Sequence, residues 1–215
     1  MISFKQYLRE EIINTNVVVF NTYEDKKVAD RHYAPGGGPR YKGEFIFLRN
    51  GDLVIPPLHR NSIINGDLIL EKCKDLTSLA GCPHHIEGSF MIDFYSATGS
   101  NLNKVTSLLD APKIVKKDCV LMGCTGITSL KGIGTDYLIE VGLELLIPNT
   151  IQSNILGILK IQNLRSVSNS KREIPLYEAI KIINKHLSSG KNINKCKSEL
   201  KEAGLEEYAQ LWTFY

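Results

Sequence analysis

Leu76-Thr77-Ser78-Leu79, Val105-Thr106-Ser107-Leu108 and Ile127-Thr128-Ser129-Leu130 write one phrase three times, at intervals of 29 and then 22 residues. Such intervals fall inside the roughly 20–29 residues of a leucine-rich repeat, in which each coil supplies a strand and a return loop and its neighbours supply the rest of the core. A turn segment follows each phrase: Gly81-Cys82-Pro83, Asp110-Ala111-Pro112 and Gly132-Ile133-Gly134. After each turn comes a run whose alternation sends one face inward, as expected of a strand: Ile86 to Ile92, Val115 to Leu121 and Leu138 to Leu145. The segments 143–148 and 158–167 look like decayed further coils, so the repeats fade toward residue 170.

Outward from the repeats, both flanks carry capping signals. Phe45 to Arg49 and Asp52 to Ile55 flank Asn50-Gly51, the dipeptide suited to the positive φ angles of a two-residue hairpin, and Val17 to Phe20 offers a further strand. On the other side Leu176, Ile180, Ile183 and Leu187 form a helical stripe behind Pro175, and a second helix fits Ile193, Cys196, Leu200 and Ala203 with Gly204 as its stop. A last short helix is expected at 205–212, packing Leu205, Tyr208 and Trp212. The pattern predicts an α+β fold: a leader or helix at 1–10, a β-hairpin cap with a Gly-rich loop in 11–60, a short β-solenoid or leucine-rich-repeat-like stack over 61–170, and a helical cap over 171–215.

With 26 Lys and Arg against 23 Asp and Glu, the formal charge of +3 is too small to attract nucleic acid or an anionic membrane by itself. The five cysteines form no CxxC pair, and their odd number argues against a secreted disulfide framework. The first ten residues lack the apolar core of a signal peptide, and no stretch reaches the roughly 18 apolar residues of a membrane span, which predicts a soluble intracellular protein that does not engage membranes.

Leu76 to Pro83 followed by Ile86-Glu-Gly-Ser-Phe90 resembles the coil of leucine-rich-repeat-like proteins of large T-even-type phages, and Cys196 to Leu211 resembles the helical tail of those proteins. The resemblance covers roughly residues 60–211 and implies a repeat fold and a phage origin without implying an activity. Phe4 to Glu10 is similar to the leader that directs internal head proteins of such phages into the prohead, where a protease cuts after a Leu/Ile-x-Glu triplet that Leu8-Arg9-Glu10 matches. What this implies is a place in the host cytoplasm during infection, or in the virion interior if the leader is cut.

For chemistry the sequence offers little. The run Ala34 to Arg40 is rich in glycine, yet it lacks the strand, helix and Gly-Lys-Ser/Thr ending of a phosphate loop. Its flanks place Arg31, Tyr33, Arg40, Tyr41 and Lys42 together, a mixture of cations and rings that can stack on bases and pair with phosphates. Cys82, His84 and His85, with Cys73 nearby, are residue types that bind zinc, but no second pair completes four ligands, so a repeat turn with exposed histidines is the expectation. No Gly-x-Ser-x-Gly elbow is present, and Asp93, Asp110, Asp118 and Asp136 read as a solvated edge.

No catalytic residue, metal or cofactor is therefore expected. The leading expectation is a scaffold that binds a host or phage protein through its repeat face, with Phe94, Tyr95, His84 and His85 as contacts. The other class is a nucleic-acid-binding or processing protein acting through residues 31–42.

Overall fold

The computed structural model describes residues 40–42, 47–49, 52–54, 63–64, 67–71, 76–80, 82–92, 104–171 and 174–211. Their architecture is α+β. The strands are β1 (Arg40–Lys42), β2 (Phe47–Arg49), β3 (Asp52–Val54), β4 (Ile63–Ile64), β5 (Leu68–Glu71), β6 (His85–Ile86), β7 (Phe90–Ile92), β8 (Ile114–Val115), β9 (Cys119–Val120), β10 (Glu140–Val141), β11 (Glu144–Ile147) and β12 (Ser166–Asn169). A 3₁₀ helix spans Ile155–Lys160, and helices α1 (Leu176–Ser188) and α2 (Ile193–Glu202) follow. No helix among the described residues is long and apolar enough to cross a membrane.

Two sheets are parallel throughout, in the orders β1-β5-β7-β9-β11-β12 and β10-β8-β6-β4. In the longer sheet Leu68, Phe90, Cys119, Leu145 and Val167 stand in one row, successive members being 22, 29, 26 and 22 residues apart. All five are buried, as are Ile86, Val115 and Val141 in the equivalent row of the shorter sheet. Between them Leu76, Leu79, Val105, Leu108, Ile127 and Leu130 of the three phrases enter the same core.

Each run expected as one strand is two. Ile86 and Phe90, Val115 and Cys119, and Val141 and Leu145 all point inward at a spacing of four. An unbroken strand would send the residue midway inward as well. Lys117 occupies that position in the second run and is exposed, so the chain turns a corner at residues 87–89, 116–118 and 142–143. Corners stack closely: a Cβ on Gly142 would lie 1.9 Å from the Lys116 carbonyl oxygen, so only glycine fits.

The phrase itself builds a turn. Ser78, Ser107 and Ser129 each accept, through Oγ, the amide N–H two residues on, at 3.4, 3.1 and 3.3 Å. Two residues after those donors, Cys82, Ala111 and Ile133 each donate an amide hydrogen bond of 3.0 Å to the carbonyl of Leu79, Leu108 and Leu130. The third turn residue has φ 67° at Asp110 and 89° at Gly132, the conformation that a type II turn demands there. A fourth copy exists that the sequence pattern hides: Ser153 bridges Ser129 in parallel, making Ile151-Gln152-Ser153-Asn154 the next phrase. Asn154 stands where a leucine is expected, at φ 60°, and bonds Ser129 Oγ at 2.9 Å. The segments 143–148 and 158–167 hold β11, the end of the 3₁₀ helix and the start of β12.

The β2–β3 hairpin pairs Phe47 with Val54 and Arg49 with Asp52, the register of a two-residue loop, and forms its own sheet. Residues 1–39 and Trp212 lie outside the described residues, and with them the leader, the Val17–Phe20 strand and the Gly-rich run. Helix α1 buries the expected stripe of Leu176, Ile180, Ile183 and Leu187. In α2 Cys196 and Leu200 are buried, whereas Ala203 is exposed because it leaves the helix at its C-terminal end, where Gly204 turns the chain at φ 72°. Residues 205–209 make turns instead of the expected helix, yet Leu205, Tyr208 and Ala209 are buried.

Candidate functional site: the outward face of the long sheet

Strand alternation turns the inward row into the floor of two outward rows. In the first, Asp67, Ser89, Asp118 and Glu144 stand side by side on β5, β7, β9 and β11 or one residue before them, Ser89 being buried and the three carboxylates partly exposed. Asp67 Oδ1 accepts the Ser89 amide at 2.8 Å, and Asp118 Oδ1 accepts the Glu144 amide at 3.2 Å. Each aspartate thus ties its own repeat to the next. One carboxylate oxygen of each remains, and among the described residues no Lys or Arg pairs with Asp67, Asp118 or Glu144.

The second row is apolar: Met91, Val120 and Leu146, with Ile69 in register on β5 and Ser168 on β12. Met91 and Leu146 are half-buried, and Val120 sinks between them with 3 % exposure. An apolar stripe beside a line of carboxylates is a surface that side chains with an aliphatic stem and a cationic head can match. Phe94 and Tyr95, expected on this face, lie outside the described residues.

The shorter sheet bears the histidines. His84 and His85 are half-buried rather than exposed, because His85 opens β6 in the parallel ladder between β4 and β8 and His84 directly precedes it. His85 Nε2 is 2.8 Å from Glu87 Oε1, an ion-pair distance without aligned hydrogen-bond geometry. Further along this sheet Glu140 accepts from Lys116 Nζ at 2.9 Å and Asn163 Nδ2 at 2.8 Å, and the Lys116 bond is the main reason its carboxyl sits below the ordinary range. These groups bridge consecutive corners.

Among the described residues, no group of three His, Cys, Asp or Glu could hold an ion. Burial raises the Cys82 and Cys119 thiols far above their ordinary range and the Cys196 thiol to about 11, so all three stay protonated and unreactive. His186, on α1, is buried and contacts Glu199 Oε2 of α2 at 2.9 Å, a link between helices. A crevice between Leu130, Thr135, Asn154, Lys160 and Leu211 has a cavity volume of only about 10 Å³, far below the roughly 300–1,000 Å³ of small-molecule sites.

Of the basic-aromatic group, Arg31 and Tyr33 lie outside the described residues. Arg40, Tyr41 and Lys42 form strand β1 instead of a loop, because each pairs in register with Ile69, Leu70 or Glu71 of β5. Leu8 and Glu10 also lie outside the described residues. Compared with family models, curated proteins and solved structures, the chain matches none.

Proposed function

We propose that residues 61–170 form a short solenoid of leucine-rich-repeat-like coils, closed by the hairpin at one end and the helices at the other, and that the chain is a non-catalytic scaffold binding a protein. The observation that carries the binding reading is the outward face of the long sheet, where Met91, Val120 and Leu146 run beside Asp67, Asp118 and Glu144, carboxylates without a cationic partner among the described residues. Coils in parallel register support the solenoid reading, since each repeat completes the core of its neighbour. The partner fitting this face presents Lys or Arg beside aliphatic side chains. Phe94 and Tyr95 are proposed as further contacts to the partner. By the resemblance noted in the sequence, that partner belongs to a phage or its host.

Affinity capture with the full chain and with Met91→Asp/Leu146→Asp tests this reading, each in the presence and absence of nuclease. A protein that survives nuclease on the parent chain and is lost from the folded double variant supports the face. Equal retention by both overturns it, and loss on nuclease treatment transfers the function to nucleic acid.

A further inference from the structure

The open edge of β12 is closed by side chains. Asn184 of α1 accepts the Val167 amide through Oδ1 and donates Nδ2 to the Val167 carbonyl, both at 2.8 Å. In a parallel ladder the N–H and C=O of one residue face the same neighbouring strand, so Val167 presents both toward the position of a next strand. A carboxamide has the donor and acceptor of a peptide group, and Asn184 places it where that strand's peptide would stand.

The other sides of the last repeat are treated alike. Gln162 donates its amide to the Ile139 carbonyl at 2.8 Å, continuing the short sheet, while the adjoining Ile161 carbonyl accepts from Lys191 Nζ at 2.6 Å. On the phrase side the Ile151 carbonyl accepts from Tyr208 Oη at 3.3 Å, and the Asn154 amide donates to the Glu207 carbonyl at 3.4 Å. Earlier repeats meet these needs with the backbone of the following repeat, as Thr128 does in accepting from the Gln152 amide at 2.7 Å. The tail therefore answers a complete repeat edge, side by side, with groups shaped like a further repeat.

We propose that α1, α2 and the turns after them are a plug imitating the next repeat, and that with its side-chain bonds removed the Val167 edge takes a second copy of this chain. This rests on the solenoid reading. The second copy is the fitting occupant because the six-stranded sheet is parallel from β1 to β12: the β1 edge of one copy runs in the same sense as the β12 edge of another, so one sheet continues across the junction. Contacts of that kind do not close on themselves and grow as rods.

The test uses the full chain as Asn184→Leu, which keeps the volume and removes both bonds, and as Asn184→Leu/Lys191→Met/Tyr208→Phe. Sedimentation velocity over about a 100-fold concentration range, electron microscopy and amide exchange are read together. Expected are exchange at Val167 faster by about tenfold, equivalent to about 1.4 kcal/mol, and concentration-dependent rods one molecule wide for the triple variant. A triple variant that keeps its circular dichroism and stays monomeric throughout overturns the proposal, and so does amorphous aggregation without rods. If the triple variant does not fold, the single variant decides by the same measurements. A monomeric outcome leaves the scaffold reading standing, because Met91 and Leu146 are untouched and that reading fails only on its own capture experiment.

Discussion

Within the repeats, backbone chiefly meets backbone, with Asp67 and Asp118 adding side-chain bonds; at the helical end, backbone chiefly meets side chain. The Leu146 carbonyl accepts from the Leu121 amide, directly after β9, at 2.8 Å, whereas Val167 depends on one carboxamide of Asn184. The difference teaches where specificity resides. A repeat needs only apolar residues at a recurring interval, because any peptide can bond any other. The end needs named residues, since a side chain must reach a particular carbonyl at a particular place.

The largest expected break in that contrast comes from Leu79→Ala. Leu79 has 0 % exposure in the shared core, and its truncation should cost about 2–5 kcal/mol, read as a loss of the whole urea transition. Leu205→Ala, in the tail with 8 % exposure, should cost about 1–2 kcal/mol and speed amide exchange in the helices ahead of the strands. Equal loss of protection everywhere for both variants would mean that the two regions are one cooperative unit.

A smaller effect sharpens the contrast through pH. Glu199 takes Lys185 Nζ at 2.6 Å and His186 Nε2 at 2.9 Å between the helices, and Glu140 takes Lys116 and Asn163 between corners. Those bonds hold both carboxyls below their ordinary 4.5, the Lys185 bond foremost for Glu199 and the Lys116 bond for Glu140. A carboxyl lowered on folding adds stability that is complete above its unfolded value and disappears as pH falls through its folded one. Urea midpoints measured from about pH 6 down to about pH 3 should therefore fall, and Glu199→Gln and Glu140→Gln should each flatten that fall. Curves parallel to the parent's would show that neither bond contributes to stability.

The smallest effect compares two copies of one turn. Asp110 holds φ 67° where the next copy has Gly132 at 89°, so Asp110→Gly sets relief of that backbone strain against loss of the aspartate's own interactions, and thermal melts should move by less than about 1 kcal/mol. Gly132→Ala should destabilise, because its Cβ would come within 2.7 Å of Asp136 Oδ2 and 2.9 Å of Tyr137 Cε1. A destabilised Asp110→Gly would assign the Asp110 side chain a bond worth more than the strain.

What could be read from the chain follows the same division. The three Thr-Ser phrases and the Leu176–Leu187 stripe are written in apolar spacing, and spacing is what sequence displays. The corners escaped because Ile86 to Ile92 alternates well enough to pass for one strand, and only the exposed Lys117 between Val115 and Cys119 marks the bend. The fourth phrase escaped because Asn154 replaces a leucine with a hydrogen bond. Of the proposed binding face, Asp118 was visible only as a carboxylate. Its neighbourhood becomes legible through the rule that a polar residue precedes each inward one, as in Asp67-Leu68, Ser89-Phe90, Asp118-Cys119 and Glu144-Leu145. Asn184 gave no signal, since one asparagine on a helix looks like any solvated residue.

Row partners in the long sheet are never more than 29 residues apart. Nothing in that sheet must wait for a distant part of the chain before it can pair, so loops to be closed are short and closure is fast. During synthesis each strand from β5 onward leaves the ribosome with its template already formed, and the order of translation is the order of assembly. The helices emerge after the last strand, so through most of its making the nascent sheet presents a bare growing edge to the cell.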